Sequence, residues 1–117
     1  MKVLIVDDAP TVRSLVKTTL EGMGITVLGA SNGKEALDMA RREAFTLIIS
    51  DINMPVMNGL EFLKAFRSFN RRTPFLVLTT ESDPEKKEAA KRLGATGWIV
   101  KPFRPQDLSN VVRRFVR

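Results

Sequence analysis

The chain has 117 residues, of which 19 are basic and 13 acidic, so its formal net charge is +6 at pH 7. This length predicts one domain, residues 1–117, with a single hydrophobic core. The sequence contains neither Cys nor His, which excludes disulfides, histidine-ligated zinc sites and catalysis by an imidazole base. The basic excess favours anionic partners in general, and we expect no direct DNA binding.

No apolar run approaches the roughly 20 residues that a membrane-spanning helix requires. The first such run, residues 3–6, meets Asp7 and Asp8 at once and is too short for the core of a signal peptide. We therefore expect a cytoplasmic protein without a membrane span.

Short apolar runs bounded by turn residues predict five buried strands. The strands are expected at residues 3–6, 25–29, 46–51, 75–79 and 97–101. Amphipathic stretches with apolar residues three or four positions apart predict a helix after each strand. The helices are expected from Pro10 to Gly24, from Asn32 to about Glu43, from near Gly59 to Phe69, from Pro84 to Gly94 and from Pro105 onward.

Capping signals support these helix starts. Asn32 precedes Glu35 by three positions, and Asp83 precedes Pro84 and Glu85. Both patterns are typical of a helix N-cap residue followed by an acidic residue in the first turn.

Two of the predicted helices have clear inward faces. The third helix is expected to bury Leu60, Phe62, Leu63, Phe66 and Phe69, and the last one Leu108, Val111, Val112 and Phe115.

Strand and helix alternate five times with short connections, which predicts an α/β fold with a five-stranded parallel sheet and helices on both faces. Three of the strands end in charged residues. The first is followed by Asp7 and Asp8, the third ends at Asp51, and the fifth ends at Lys101. Because the carboxyl ends of parallel strands lie at one edge, these side chains are expected to share a crevice. Asp51 is expected at the rim of the sheet rather than in the core.

Three carboxylates close together repel one another, so that one of them keeps its proton or the group recruits a hard cation with oxygen ligands. Mg²⁺ is the expected cation. It would neutralise an incoming phosphoryl group, and the carboxylate facing the opening would be the nucleophile. Each residue alone also has an ordinary explanation: an Asp after a strand as a turn former, Thr79 as a sheet residue, Lys101 as a solvated lysine.

At its strand ends the chain resembles the receiver domain of two-component response regulators, and most of all the stand-alone CheY-type chemotaxis regulators. The matching residues are Asp7-Asp8, Asp51, Met54-Pro55, Asn58-Gly59, Thr79 and Lys101-Pro102-Phe103. The resemblance covers essentially the whole chain. It implies a flavodoxin-like (βα)5 fold with strand order 2-1-3-4-5, an order for which CheY is itself the standard example.

The resemblance also implies the chemistry of the site. Asp51 would be the phosphoacceptor, and Mg²⁺ would be held by Asp7, Asp8, Asp51 and the backbone carbonyl of Asn53. Asn53 and Glu81 match positions that flank the water attacking the phosphoryl group, and they would tune dephosphorylation. The protein would then be a signalling phosphoacceptor with self-catalysed phosphoryl transfer and autodephosphorylation, rather than an enzyme with a separate substrate.

Further implied roles fall on the last two strands. Lys101 would bind the phosphoryl oxygens as a point charge, and the Thr79 hydroxyl would donate to one of them. Trp98 would move between outward and inward rotamers together with Thr79. The Lys101–Pro102 peptide bond is expected to be cis, as in the resembled family.

Because the chain has no His, its phosphoryl group must come from the phosphohistidine of a histidine kinase or from a small acyl phosphate. A downstream target, such as a flagellar motor component, is expected on the face formed by the fourth helix, the fifth strand and the fifth helix. Two alternatives stay open: a small phosphoaspartyl phosphotransferase, and a phosphate sink that competes for the kinase.

Four arginines cluster in and just before the last predicted helix, where we expect a ligand or output surface: Arg104, Arg113, Arg114 and Arg117. Arginine binds carboxylates and phosphates bidentately and stacks on bases. An acidic protein segment or a cyclic dinucleotide would therefore fit this surface, as in some arginine-rich CheY-like proteins. The ordinary explanation is a basic helix that only favours solubility.

Overall fold

The computed structural model describes residues 1–116, and within them five strands alternate with five helices. The strands are Lys2–Val6 (β1), Thr26–Ala30 (β2), Leu47–Ser50 (β3), Phe75–Thr79 (β4) and Gly97–Val100 (β5). The helices are Pro10–Glu21 (α1), Gly33–Arg42 (α2), Gly59–Arg67 (α3), Pro84–Arg92 (α4) and Pro105–Val112 (α5). The predicted alternation is confirmed, although α1 and α4 end two residues or more before the glycines expected to end them.

All neighbouring strands are parallel, and the sheet has the order β2-β1-β3-β4-β5. This is the flavodoxin-like order that the resemblance implied. β1 lies between β2 and β3, with Val6 opposite Ala30 on one side and Ser50 on the other. The residues that follow Val6 and Ser50 therefore leave the sheet side by side.

Two hydrophobic clusters cover the two faces of the sheet, because successive strand side chains point to opposite faces. Leu4, Val6, Ile48 and Val77 belong to one cluster, where residues of α2, α3 and α4 cover the sheet. Residues of opposite parity belong to the other, where α1 and α5 cover it: Val3, Ile5, Leu47, Ile49, Leu76 and Leu78. Both faces being covered explains why the strands are apolar throughout rather than alternating.

One of the side chains that the third helix was expected to bury is not in the core. Phe69 is 45% exposed, because α3 ends at Arg67 and the chain has already turned away. Its ring instead lies edge-on against Phe66, with 5.4 Å between centroids.

Among residues 1–116, no helix is both long enough and apolar enough to cross a membrane.

Candidate functional site

Three carboxylates meet where β1 and β3 end. Asp7 follows β1 and Asp51 follows β3, and one oxygen from each of Asp7, Asp8 and Asp51 lies within 4.8 Å of the other two. Asp8 is exposed, but Asp7 and Asp51 are only 1% and 7% exposed. Asp51 is therefore at the carboxyl edge and outside both hydrophobic clusters, as predicted, but it is buried there.

Lys101 brings a positive charge to the two buried carboxylates. Its Nζ atom lies 2.7 Å from Oδ2 of Asp7 and 3.1 Å from Oδ2 of Asp51. Burial by itself lowers the pKa of Lys101, but the hydrogen bonds to Asp7 and Asp51 and the charges of these carboxylates outweigh it, so that the pKa is raised above its usual value. The predicted convergence of these residues is confirmed by these distances.

The donor set suits a hard divalent cation. Three carboxylates face one ammonium group, so the cluster keeps an excess of negative charge. Its potential ligands are all oxygens, the ligands that Mg²⁺ prefers, and one of the carboxylates is exposed to solvent. A cation that keeps several of its waters can therefore reach the cluster from the exposed side.

Main-chain groups fix the orientation of the buried carboxylates. Oδ1 of Asp51 accepts hydrogen bonds from the backbone N–H groups of Ile52 at 2.6 Å and Asn53 at 3.4 Å. Oδ1 of Asp7 accepts one from the backbone N–H of Ala9 at 2.9 Å. In both residues the second oxygen is the one that meets Lys101. The two carboxylates are thus held in fixed orientations around the ammonium group.

Gly59 has a role in the site that sequence reasoning did not assign. A Cβ atom at this position would lie 2.0 Å from the carbonyl oxygen of Asp51. The backbone N–H of Gly59 also donates to the carbonyl of Ile52 at 2.8 Å. The start of α3 can approach Asp51 only because residue 59 has no side chain. A reciprocal pair of hydrogen bonds between Asn58 and Glu61 caps this helix start. The Asn58-Gly59 pair was the available signal in the sequence.

Arg13 is a second residue that sequence reasoning did not place in the site. From the second turn of α1, its Nη1 atom donates to the carbonyl oxygen of Asp7 at 2.6 Å. This bond ties the loop that carries Asp7 and Asp8 to α1. No local pattern marks Arg13, because the bond depends on how the loop folds back over the helix.

Thr79 is fully buried at the end of β4. Its Oγ1 atom accepts a hydrogen bond from the backbone N–H of Glu81 at 3.1 Å. Its carbonyl oxygen accepts one from the backbone N–H of Lys101 at 2.8 Å. The end of β4 is thereby linked directly to the residue that bridges the carboxylates, and the expected cis geometry of the Lys101–Pro102 bond is present.

Glu81 is held within its own loop. Hydrogen bonds from Lys86 and from the backbone N–H of Asp83 lower the pKa of Glu81, and the nearby Asn53 side chain adds to this effect. The Lys86 Nζ atom lies 3.2 Å from the Glu81 carboxylate. Glu81 is therefore fixed by its own loop, with Asn53 of the loop after Asp51 close by.

Trp98 is half-buried in β5 and packs against the cluster on the α2–α4 side of the sheet. It lines a surface groove of about 440 Å³ between α4 and β5 together with Pro84 and Ala90. Its neighbour in β4 is Val77, two residues before Thr79. Trp98 thus lies between the Thr79 strand and an open surface.

The arginines of the last helix are split between its two ends. Arg104 is the N-cap residue of α5 and forms an ion pair with Asp107 at 3.0 Å. Arg113 and Arg114 are exposed at the other end of the helix, about 12 Å away along its axis. Arg117 lies outside the described residues. Arg104 is thus held by Asp107 at the start of the helix, and a nucleotide or acidic ligand on these arginines stays a prediction of the sequence.

Comparison with known proteins agrees with this geometry. The family model described as the response regulator receiver domain matches residues 3–113. Chemotaxis protein CheY1 of Helicobacter pylori is 42% identical over 112 residues, which cover 92% of this chain and 90% of that protein. The structure of the chemotaxis protein CheY4 of Vibrio cholerae superimposes with a TM-score of 0.92 at 50% identity, covering 98% of each chain.

A further similar structure is the receiver domain of a Pseudomonas aeruginosa sensor histidine kinase, described with a magnesium ion coordinated in its active-site cleft. It superimposes with a TM-score of 0.89 at 25% identity, covering 97% of this chain and 95% of that one. The family match spans nearly the whole described chain, and the named relatives are CheY chemotaxis proteins. The chain therefore belongs to the receiver domain family of two-component response regulators and is CheY-like.

Proposed function

We propose that this protein is a phosphorylation-controlled switch of a cytoplasmic two-component system. Asp51 accepts a phosphoryl group from a histidine kinase, and the phosphorylated form binds a downstream chemotaxis or flagellar-motor target. The observation that carries the proposal is the convergence of Asp7, Asp8 and Asp51 with Lys101 at one edge of the sheet.

In the transfer step, a carboxylate oxygen of Asp51 attacks the phosphorus of the donor phosphohistidine. An O–P bond forms while the P–N bond breaks, and the imidazole nitrogen keeps the electron pair. Lys101, whose Nζ atom is already 3.1 Å from Asp51, moves onto the phosphoryl oxygens as they arrive. Its contact with Asp7 at 2.7 Å keeps the ammonium in position.

The residues proposed to hold Mg²⁺ are Asp7, Asp8, Asp51 and the backbone carbonyl of Asn53. When bound, the cation neutralises charge on the phosphoryl oxygens. The side chains of Asp7 and Asp51 are already oriented by backbone N–H groups, so little rearrangement is needed to bind it. The exposed Asp8 supplies a ligand on the solvent side.

The signal would leave the site through Thr79 and Trp98. The Thr79 hydroxyl accepts from the Glu81 N–H and can still donate its own proton to a phosphoryl oxygen. Movement of Thr79 toward the phosphoryl group changes the space next to Trp98 in the adjacent strand. The face of α4, β5 and α5 is the surface on which the target would read this change.

Phosphate would be lost when water attacks the phosphorus and the Asp51 carboxylate leaves. Asn53 and Glu81, which lie close to each other on two loops, would tune the access of that water. The protein catalyses both steps on its own side chain and has no separate substrate.

The test is incubation with acetyl phosphate and Mg²⁺ followed by intact-mass measurement. Asp51→Asn should show no phosphoryl mass gain, whereas Asp38→Asn, which changes an exposed carboxylate of α2, should gain mass as the wild type does. Chelation of Mg²⁺ should abolish the gain in all proteins. A mass gain that survives Asp51→Asn would refute the assignment.

A further inference from the structure

An open groove of about 480 Å³ lies between the C-terminal ends of α3 and α4. Since α3 begins beside Asp51 and ends at Arg67, the groove is at the edge of the sheet opposite to the carboxylates. Four of its lining residues are cations, namely Lys64, Arg67, Arg71 and Arg92, and none is acidic. The groove is thus a concentrated site of positive charge that the phosphorylation chemistry does not use.

The four cations lack internal counter-ions. Within residues 1–116, none of them forms an ion pair with a carboxylate. Cations in a last helical turn stabilise the helix dipole, which accounts for Lys64, Arg67 and Arg92. It does not account for Arg71, which lies in the connection from α3 to β4. Four cations without a carboxylate partner that line one concavity attract an external anion.

Arg67 is fixed at the base of the groove. Its Nε and Nη2 atoms donate to the carbonyl oxygen of Gly94 at 3.2 and 2.9 Å, and Nη1 donates to that of Asn70 at 3.1 Å. Gly94 has a φ of 106°, and a Cβ there would lie 2.9 Å from Nε of Arg67. The positive φ favours glycine at this position, and the missing side chain leaves room for the guanidinium group. Burial lowers the pKa of Arg67, as expected for a partly desolvated cation without a nearby carboxylate.

The lining indicates the size of the ligand. Among the described residues that line the groove, Leu93 is the one with an apolar side chain, and it is half-buried. Protein partners are usually anchored by aromatic or large apolar side chains in matching pockets, which this groove does not provide. The exposed Phe69 does not line the groove, and Arg41 lies over its ring at 5.6 Å, so the groove itself has no aromatic ring on which a base of a nucleic acid could stack.

We propose that this groove binds a small anion with two or more linked phosphate groups. Its volume is in the range of small-molecule sites, which is about 300–1,000 Å³. Arginine side chains bind phosphate oxygens bidentately, and Lys64 adds a point charge at the rim. Inorganic pyrophosphate and the diphosphate moiety of a nucleotide share this chemistry.

The test is calorimetric titration of the full chain with inorganic pyrophosphate. It is done with a chelator and without Mg²⁺, so that the anion cannot be bridged to the carboxylates near Asp51. The variant K64Q/R71Q/R92Q changes exposed side chains for which no internal hydrogen bond is seen among residues 1–116, so it should stay folded. Pyrophosphate binding should be saturable and should weaken about tenfold or more in this variant.

The matched control is K17Q/K34Q/R42Q, which removes the same charge from exposed positions elsewhere and should bind pyrophosphate as the wild type does. Titrations with ADP and ATP distinguish the source of the phosphates: tighter binding than pyrophosphate indicates a nucleotide, and equal or weaker binding an inorganic anion. The proposal is overturned if pyrophosphate does not saturate, or if both variants lose the same affinity. The proposal is also overturned if the protein binds a single-stranded oligonucleotide or anionic lipid vesicles but does not bind pyrophosphate.

Discussion

The ammonium group of Lys101 lies 2.7 Å from a carboxylate oxygen of Asp7, although 94 positions separate the two residues in the sequence. The same group is 3.1 Å from Asp51, and both carboxylates are almost inaccessible to water. One lysine therefore compensates two buried negative charges. Removing it leaves them facing each other, which is costly because a buried charge without a partner loses its hydration.

Lys101→Met should lower the free energy of unfolding by about 3 kcal/mol at neutral pH in the absence of divalent cations. Added Mg²⁺ should recover part of this loss, since a ligand of the native carboxylate cluster stabilises the folded state. Urea unfolding with and without Mg²⁺ measures both effects. Lys2→Met is the control, because Lys2 and its partner Glu43 are 40% and 37% exposed and such surface pairs contribute less than about 1 kcal/mol. Equal losses in the two variants would contradict the prediction.

The stabilisation by Lys101 should disappear at alkaline pH. Its pKa in the folded protein is raised above the ordinary value of 10.5, so its contribution is fully present below that value and is lost as the pH rises through the folded pKa. The difference in unfolding free energy between wild type and Lys101→Met should stay constant up to about pH 10 and shrink above it. The other lysines titrate in both proteins and cancel in the difference. A difference that grows with rising pH would show that the sign is wrong.

Gly59→Ala should distort the site even though residue 59 carries no functional group. The added Cβ would lie 2.0 Å from the carbonyl oxygen of Asp51, so either α3 or the Asp51 backbone must move, at a cost of about 2 kcal/mol or more. Both thermal stability and the rate of phosphorylation by acetyl phosphate should fall. Gly22→Ala is the matched control: Gly22 has helical φ and ψ, and a Cβ there meets ordinary contacts at 3.4 Å. That variant should be about 0.5 kcal/mol more stable and phosphorylate normally.

Phosphorylation should change the fluorescence of Trp98, the sole tryptophan of the chain. Thr79→Val removes the hydroxyl that is proposed to move toward the phosphoryl group, so this variant should gain phosphoryl mass but show a much smaller fluorescence change. Emission spectra and intact mass are recorded on the same samples. If Thr79→Val keeps the full fluorescence change, Trp98 responds to the phosphate by a route that does not use Thr79.

Local patterns in the sequence determined the elements of this protein and the charged residues that end its strands. Apolar runs of four or five residues and helical spacing each depend on neighbours along the chain, so the (βα)5 alternation could be predicted. The capping residues Asn32 and Asp83 do lie at the starts of α2 and α4 and accept hydrogen bonds from their first turns. The strand-end residues Asp7, Asp51 and Lys101 could likewise be placed at one edge, because parallel strands share the direction of their carboxyl ends.

Only the tertiary structure decided how far each of these side chains is from water and from the others. The burial of Asp51 follows from Lys101 and the start of α3 closing over it, and both come from segments that lie apart from β3. Arg67 likewise reaches the carbonyl oxygen of Gly94 across 27 positions, and Arg13 reaches that of Asp7 across six through the fold of the intervening loop. Such contacts depend on how loops and helix ends pack in three dimensions. The energy of a hydrogen bond does not depend on how many residues separate its partners along the chain. Residue spacing in a single sequence therefore does not predict these contacts.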